Sequence, residues 1–226
     1  ALRAKRPWLQ ILRCAVMVGE TALFVLVMRL LPLADAHAVL AIAPIIVTLL
    51  SIPLLGEKVG FRRLMAVLVG FLGMMIILRP GAAALQPGAL LALLCAFMFG
   101  LYIILTRKVS ADDSSETSFL YLAGVGVAAT VVLGPVYWVP PDAEGWAFML
   151  LLAVMAAFAH LLLMKALEAA PASLLQPLNY SLLVWATLVG FVVFGDFPDS
   201  WTIAGAGVIV MSGLYTIYRE RVRAKG

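Results

Sequence analysis

Residues 29–60 read RLLPLADAHAVLAIAPIIVTLLSIPLLGEKVG, and residues 168–199 read EAAPASLLQPLNYSLLVWATLVGFVVFGDFPD. At a separation of 139 positions, Pro32, Gly56 and Glu57 of the first stretch fall on Pro171, Gly195 and Asp196 of the second. Between these markers both stretches are long apolar runs. The likeness extends outward on both sides. Trp8 and Trp146, 138 positions apart, open matching apolar runs, and RRLMAVLVGFLGMMIIL after the first copy corresponds to WTIAGAGVIVMSGLYTIY after the second. A unit of three hydrophobic helices therefore occurs twice. Internal repeats of membrane helices point to a transporter whose halves move against each other around a central site.

Composition agrees with a chain immersed in lipid. Hydrophobic residues make up 64% of it and charged residues 12%, with a mean hydropathy of +1.08. A soluble domain carries about 45–50% apolar and about 25% charged residues. The expected class is an all-α polytopic membrane protein. The net charge of +4 does not suggest nucleic acid, because the basic residues sit at the ends of apolar runs and not on one face. Cys14 and Cys95 both fall inside apolar runs and read as buried free thiols. The basic start ALRAKR resembles the head of a signal peptide, but the apolar run after it is too long and is interrupted by Arg13 and Glu20.

A helix needs about 20 residues to cross the hydrocarbon core. Eight such runs are expected, over 8–31, 36–55, 61–79, 87–107, 117–138, 145–167, 172–194 and 199–218. The breaks between them hold the punctuation of turns: Pro32 with Asp35, Gly56 to Gly60, Pro80-Gly81, SADDSSE, Pro140-Pro141, Pro171 and Asp196 to Asp199. If the N-terminus is cytoplasmic, 14 of the 16 Lys and Arg residues lie on the cytoplasmic side, with Arg29 and Arg79 outside. That bias fixes the expected orientation. Both termini are then cytoplasmic, and Trp138, Trp146 and Trp201 form an outer interfacial belt.

This topology places GEKVG inside and GDFPD outside, so the two copies are inverted in the membrane. The runs at 87–107 and 117–138 have no partners in the first copy. The expected organisation is therefore the last three helices of a first repeat over 1–81 and a complete five-helix repeat over 82–226. It implies eight transmembrane helices here and ten in a complete protein, with two more ahead of Trp8, the alternative being an eight-helix protein with a degenerate first half.

LPLADAHAVLAIAPIIVTLLSIPLLGEKVGFRRLMAVLVGFLGMMIILRPG resembles the end of the first EamA domain of the drug/metabolite transporter superfamily. LLQPLNYSLLVWATLVGFVVFGDFPDSWTIAGAGVIVMSGLYTIYRER resembles the end of the second. The resemblance rests on Pro44 within a helix, on the glycine–acid pairs Gly56-Glu57 and Gly195-Asp196, and on Gly70, Gly73, Gly205, Gly207 and Gly213 in the helices that follow. It implies ten helices in inverted five-helix repeats, and a role in moving amino acids, nucleotide-like or vitamin-like metabolites, or drugs. The second half most resembles members suggested to carry riboflavin or S-adenosylmethionine.

Candidate site residues are the polar groups at mid-depth. Glu20 lies about 18 Å along its helix from Trp8, at about 1.5 Å per residue. An ionisable residue there is costly and faces a cavity or a partner. It is a candidate for proton coupling or for holding a cationic group, the alternatives being a protonated carboxyl hydrogen-bonded between helices or a carboxylate paired with Arg13 two turns below. His160, 139 positions after Thr21, is the second proton-coupling candidate, against a plain packing role. Gln176, Asn179, Tyr180 and Ser181 cluster around Pro177, which should loosen its helix. His37 is the counterpart of Gln176, and Pro44 loosens the equivalent helix. Trp185 lies deeper, where its ring could stack on a planar solute. The expected substrate-binding set is Glu20, His160, Gln176, Asn179, Tyr180 and Trp185. Glu57 and Asp196 are expected to cap the helices that follow them.

The chain offers no metal-ligand cluster, nucleophile elbow or phosphate loop, so neither a cofactor nor an enzyme is expected. The expected function is secondary transport of a small organic metabolite or drug across the inner membrane by alternating access, with proton coupling resting on Glu20 and His160. The other classes considered are a non-transporting membrane subunit and a membrane-embedded enzyme.

Overall fold

The structure is a computed structural model that describes residues 4–31, 36, 39–78, 88–137, 139–189, 191–192, 195 and 199–225. At 78, 136–137, 183, 186–187, 189, 217 and 219–225 it describes the backbone alone. Pro32, Asp35, His37, Arg79, Pro80-Gly81, Trp138 and Asp196, singled out above, lie outside the described residues.

All regular structure among the described residues is helical. The helices are α1 (Pro7–Leu30), α2 (Ala43–Leu55), α3 (Phe61–Leu78), α4 (Gly88–Val109), α5 (Ser115–Tyr137), α6 (Ala143–Ala169), α7 (Ala172–Asn179), α8 (Ser181–Val189) and α9 (Ser200–Lys225). Four of them, α1, α4, α5 and α6, are long and apolar enough to cross a membrane. Pro7 starts α1 where its missing N–H costs nothing. The Asp142 side chain caps α6 by accepting from the Gly145 amide at 2.8 Å.

Two expected spans are interrupted. The run expected over 36–55 turns at Ala41–Ile42 before α2 begins, and the run expected over 172–194 breaks at Tyr180 between α7 and α8. The prolines explain both. Pro177 removes one hydrogen bond from α7 and crowds the carbonyl four residues back. Pro44 sits in the first turn of α2, where a missing N–H is tolerated.

The repeat is visible in the backbone. α1 and α6 end at Leu31 and Ala170, 139 apart, both extended, with cap amides donating to Val27 and Ala166. Gly56 and Gly195, also 139 apart, take left-handed φ angles of 69° and 76°. Their amides close on the carbonyls of Ile52 and Phe191. A left-handed glycine after the last helical residue is a common way to end a helix, because no Cβ opposes it.

The core of the described residues gathers in four clusters, the smallest around Leu9, Leu105 and Val109. Val47, Tyr102, Ile103, Ile104, Leu167 and Ala172 join α2, α4, α6 and α7. Val27 and Cys95 tie α1 to α4, and Val67, Met74, Tyr180 and Ile209 tie α3 to the second half. α3 and α9 cross closely. The Ser212 hydroxyl donates to the Ala66 carbonyl at 2.7 Å, and a Cβ built on Gly205 would meet the Gly73 carbonyl oxygen at 2.6 Å. As one index rises by seven the other falls by seven, so α3 and α9 run antiparallel. The offset of 139 converts Ala66 to Gly205 and Gly73 to Ser212, so it exchanges these two contacts with each other. Small residues at such crossings let backbones approach in lipid, where no hydrophobic force drives helices together. α6 shows the lipid-facing alternative, with Leu150, Leu152, Met155 and Phe158 all largely exposed.

Basic residues gather at one end. The Lys5 and Arg6 side chains approach Asp112 in the α4–α5 turn at 3.8 and 3.5 Å. Arg107 donates to the Leu167 and Glu168 carbonyls where α6 finishes. Lys165 reaches Glu116 at 3.9 Å, an exposed pair worth little.

Candidate functional site

A cavity of about 540 Å3 lies at the centre of the bundle. Its wall includes Glu20 and Ala159, Leu40 and Asn179, Ala41 and Tyr180, and Ala43 and Leu182. Each of these is a pair separated by the repeat offset of 139. Phe24, Pro44, Met74 and Phe99 complete the wall. The cavity is therefore bordered by four pairs of positions related by the repeat offset in the sequence. Both helix interruptions open onto it, as irregular backbone at membrane depth must, since lipid cannot satisfy it.

The polar groups are one-sided. The repeat offset pairs Glu20 with Ala159, Asn179 with Leu40 and Tyr180 with Ala41, so each pair carries one polar side chain. Glu20 stands about 20 Å from the Pro7 end of α1 at about 1.5 Å per residue, and it is 9% exposed. Among the described residues of the wall it is the one ionisable carboxylate. Asn179 donates to Gln176 Oε1 at 3.0 Å, and Gln176 Nε2 donates to the Ala172 carbonyl at 2.7 Å. Gln176 is buried behind Asn179 and does not line the cavity. Tyr180 Oη donates to the Ala41 carbonyl at 3.1 Å and satisfies one group freed by the first interruption. Gly70 makes room for that ring: a Cβ there would lie 2.5 Å from Tyr180 Cδ2.

The structure does not bring all six sequence candidates together. Glu20, Asn179 and Tyr180 share the cavity. Trp185 does not line it and is 62% exposed on α8. Even in an unbroken helix, six residues at about 3.6 per turn would place Trp185 off the face of Asn179. His160 lines a separate groove of about 500 Å3 between α1 and α5, together with its repeat counterpart Thr21. Its ring meets Tyr102 edge-on at 6.2 Å, and its Nδ1 is buried without a hydrogen-bond partner.

Arg13 is not the partner of Glu20. Its guanidinium is fully buried at the basic end, donating to the Ser118 carbonyl at 2.6 Å and to Gln10 Oε1 at 3.2 Å. It also lies 5.5 Å from the Tyr102 ring centre. Gln10 passes the connection on, donating to Asp113 Oδ2 and Ser118 Oγ at 3.0 Å each. Sequence reasoning placed Arg13 among the basic end groups and missed this network. The available signal was Gln10 and Arg13 on one face of an otherwise apolar helix.

Glu57 caps a helix, but not the one that follows it. Its carboxylate accepts from the Ala172 amide at 2.7 Å, the Ser173 amide at 3.1 Å and the Ser173 hydroxyl. These are the orphan donors at the start of α7, in the other half of the chain. Pro171 ahead of them has no side chain that could do the same. Arg63 Nη1 donates to Ser173 Oγ at 2.8 Å, so charges of both signs converge on this junction.

A model of the EamA-like transporter family matches residues 2–79 and 86–218. The chain belongs to the EamA-like transporter family. Among its relatives is the S-adenosylmethionine uptake transporter of Rickettsia prowazekii, 26% identical over 98% of this chain and 75% of that protein. Another is the riboflavin transporter of Vibrio cholerae, 34% identical over 86% of this chain and 65% of that protein. A solved crystal structure superposes with a TM-score of 0.81 at 22% identity, covering 98% of this chain and 79% of that one. It shares the fold of this EamA-like chain. These relatives are transporters, not enzymes.

Proposed function

We propose that this EamA-like protein is a secondary transporter of a small organic metabolite, working by alternating access around the central cavity. The carrying observation is the set of four repeat-related pairs in the cavity wall. Substrate sites of inverted-repeat transporters lie near the midplane at the repeat interface. In this reading residues 1–81 belong to the first repeat and residues 82–226 form the second, and antiparallel packing of α3 on α9 supports their inversion.

Glu20, Asn179 and Tyr180 form the substrate-binding surface, with Gln176 holding Asn179. Phe24 and Phe99 supply aromatic walls for a planar group. Glu20 either exchanges a proton against the solute or holds its cationic group; the relatives named for S-adenosylmethionine and riboflavin make those two solutes the first to test. Equilibrium binding to purified protein checks the site. Asn179→Leu, which copies its repeat counterpart Leu40, should weaken binding of whichever solute is taken at least about tenfold, the value of one well-placed hydrogen bond. Trp185→Ala should leave it unchanged. Equal affinity in the Asn179 variant would remove that residue from the site.

The basic end lies in the cytoplasm in this reading, and the protein sits in the inner membrane with both described chain ends inside. Single cysteines at Ser114 and Asp199 report this in intact cells. An impermeant maleimide should label the Asp199 site and spare the Ser114 site, and the reverse pattern would turn the molecule over.

A further inference from the structure

The repeat sorts contacts between the halves into two kinds. When two inverted copies exchange conformations, a contact between residues i and j becomes a contact between their counterparts. A contact between a residue and its own counterpart maps onto itself. Tyr180 with Ala41, joined by the Tyr180 hydroxyl donating to the Ala41 carbonyl, is such a residue pair, spanning 139 positions, although the hydrogen bond itself has no counterpart because Ala41 carries no hydroxyl. The α3–α9 crossing behaves alike, because Ala66 with Ser212 and Gly205 with Gly73 are exchanged and both are already present. The Glu57 tie to Ala172 and Ser173 is different. It joins residues that are not repeat counterparts, at the basic end, and does not map onto itself.

We infer that Tyr180 and the α3–α9 crossing form a pivot that persists through the transport cycle, whereas Glu57 on the start of α7 is a gate that must open. The inference rests on the alternating-access reading above. Tyr180 is a positioning residue in this account: it fixes the two interrupted helices to each other where they border the cavity, with Gly70 leaving space for its ring. Rigid halves rocking about a fixed site need one set of contacts that never breaks and another that does. Glu57 suits the second role. Its partners are backbone and side-chain donors at a helix start, which water can satisfy when the tie opens.

Two disulfides separate the roles without any transported solute. Cys14 and Cys95 are first replaced by alanine, and Ala43→Cys is added as a reporter in the cavity wall. Access to the reporter is measured with an impermeant maleimide applied to each face of oriented proteoliposomes. Unlinked protein should label from both faces. Oxidising Glu57→Cys with Ser173→Cys should cut labelling from the basic face at least about tenfold, with full recovery on reduction. Oxidising Ala66→Cys with Ser212→Cys should leave labelling from both faces within about twofold. Loss of two-sided access on linking the second pair, or its survival on linking the first, would overturn the assignment. One-sided labelling of unlinked protein would overturn alternating access itself, and the inference with it.

Discussion

If Glu20 carries the coupling proton, Glu20→Gln is expected to abolish pH-driven transport while leaving solute exchange at equal pH within about threefold of the unaltered protein; if Glu20 instead holds the solute's cationic group, exchange falls as well. Glutamine keeps the size and much of the hydrogen-bonding capacity of the carboxyl group but cannot ionise. The change therefore isolates charge. Glu20 lines the central cavity, and His160, the other proton-coupling candidate, lies in a separate groove. A charged carboxylate at that depth must be matched by a cation from the solute or neutralised by a proton. Flux in proteoliposomes under an imposed pH gradient makes the measurement. Unaltered gradient-driven uptake in the variant would remove Glu20 from coupling and leave Asn179 and Tyr180 as the polar part of the site.

Arg13→Met is expected to cost about 3 kcal/mol of stability, the largest loss expected from one surface-distant substitution. Methionine keeps the length but removes every donor. Gln10 Oε1 then loses its charged donor, and Asp113 loses the positive charge that Gln10 links to it. A buried acceptor stranded in this way costs about 1–3 kcal/mol, and losing a cation over an aromatic ring adds up to about 2 kcal/mol. Relief from burying a guanidinium offsets only part of this, because the partners remain in place. Lys165→Met is the control: its pair with Glu116 is exposed on both sides and should contribute less than about 0.5 kcal/mol. Thermal unfolding in detergent compares the two. Equal melting temperatures for both variants would mean that the network around Arg13 is dispensable.

The sequence carried the architecture because its markers are local. Prolines, glycines and hydrophobic run lengths report chain reversals without reference to any neighbour. Gly56 and Gly195 show this, since their left-handed geometry is the reason for a glycine at each copy's end. Pro44 and Pro177 mark loosened helices, but the apolar run lengths read straight through both interruptions. What sequence could not fix was direction. Trp185 reads as a pocket residue, but it lies outside the cavity wall and is exposed on α8. Glu57 was legible as a cap, but its helix lies in the other half of the chain, so its partner could not be found by proximity in sequence. The Arg13 network depends on Thr106 and Ser118, about a hundred positions away, and no periodicity encodes it.

The repeat pairs also explain how a nearly symmetric frame holds an asymmetric site. The backbone of the cavity comes in matched halves, while the polar groups are concentrated at Glu20, Asn179 and Tyr180. In the proposed alternating-access cycle, matched backbone would allow two exchanged conformations of similar energy, and unmatched side chains would let one solute bind in one orientation.

Solute counterflow tests the central claim most directly. Proteoliposomes loaded with unlabelled S-adenosylmethionine or riboflavin, in separate preparations, are diluted into a trace of the same labelled solute with no other gradient. Alternating access predicts a transient, saturable accumulation of label for the transported solute, abolished when Glu57→Cys and Ser173→Cys are joined by a disulfide and restored by reduction. Label that only equilibrates, at a rate linear in concentration and indifferent to that disulfide, would contradict it.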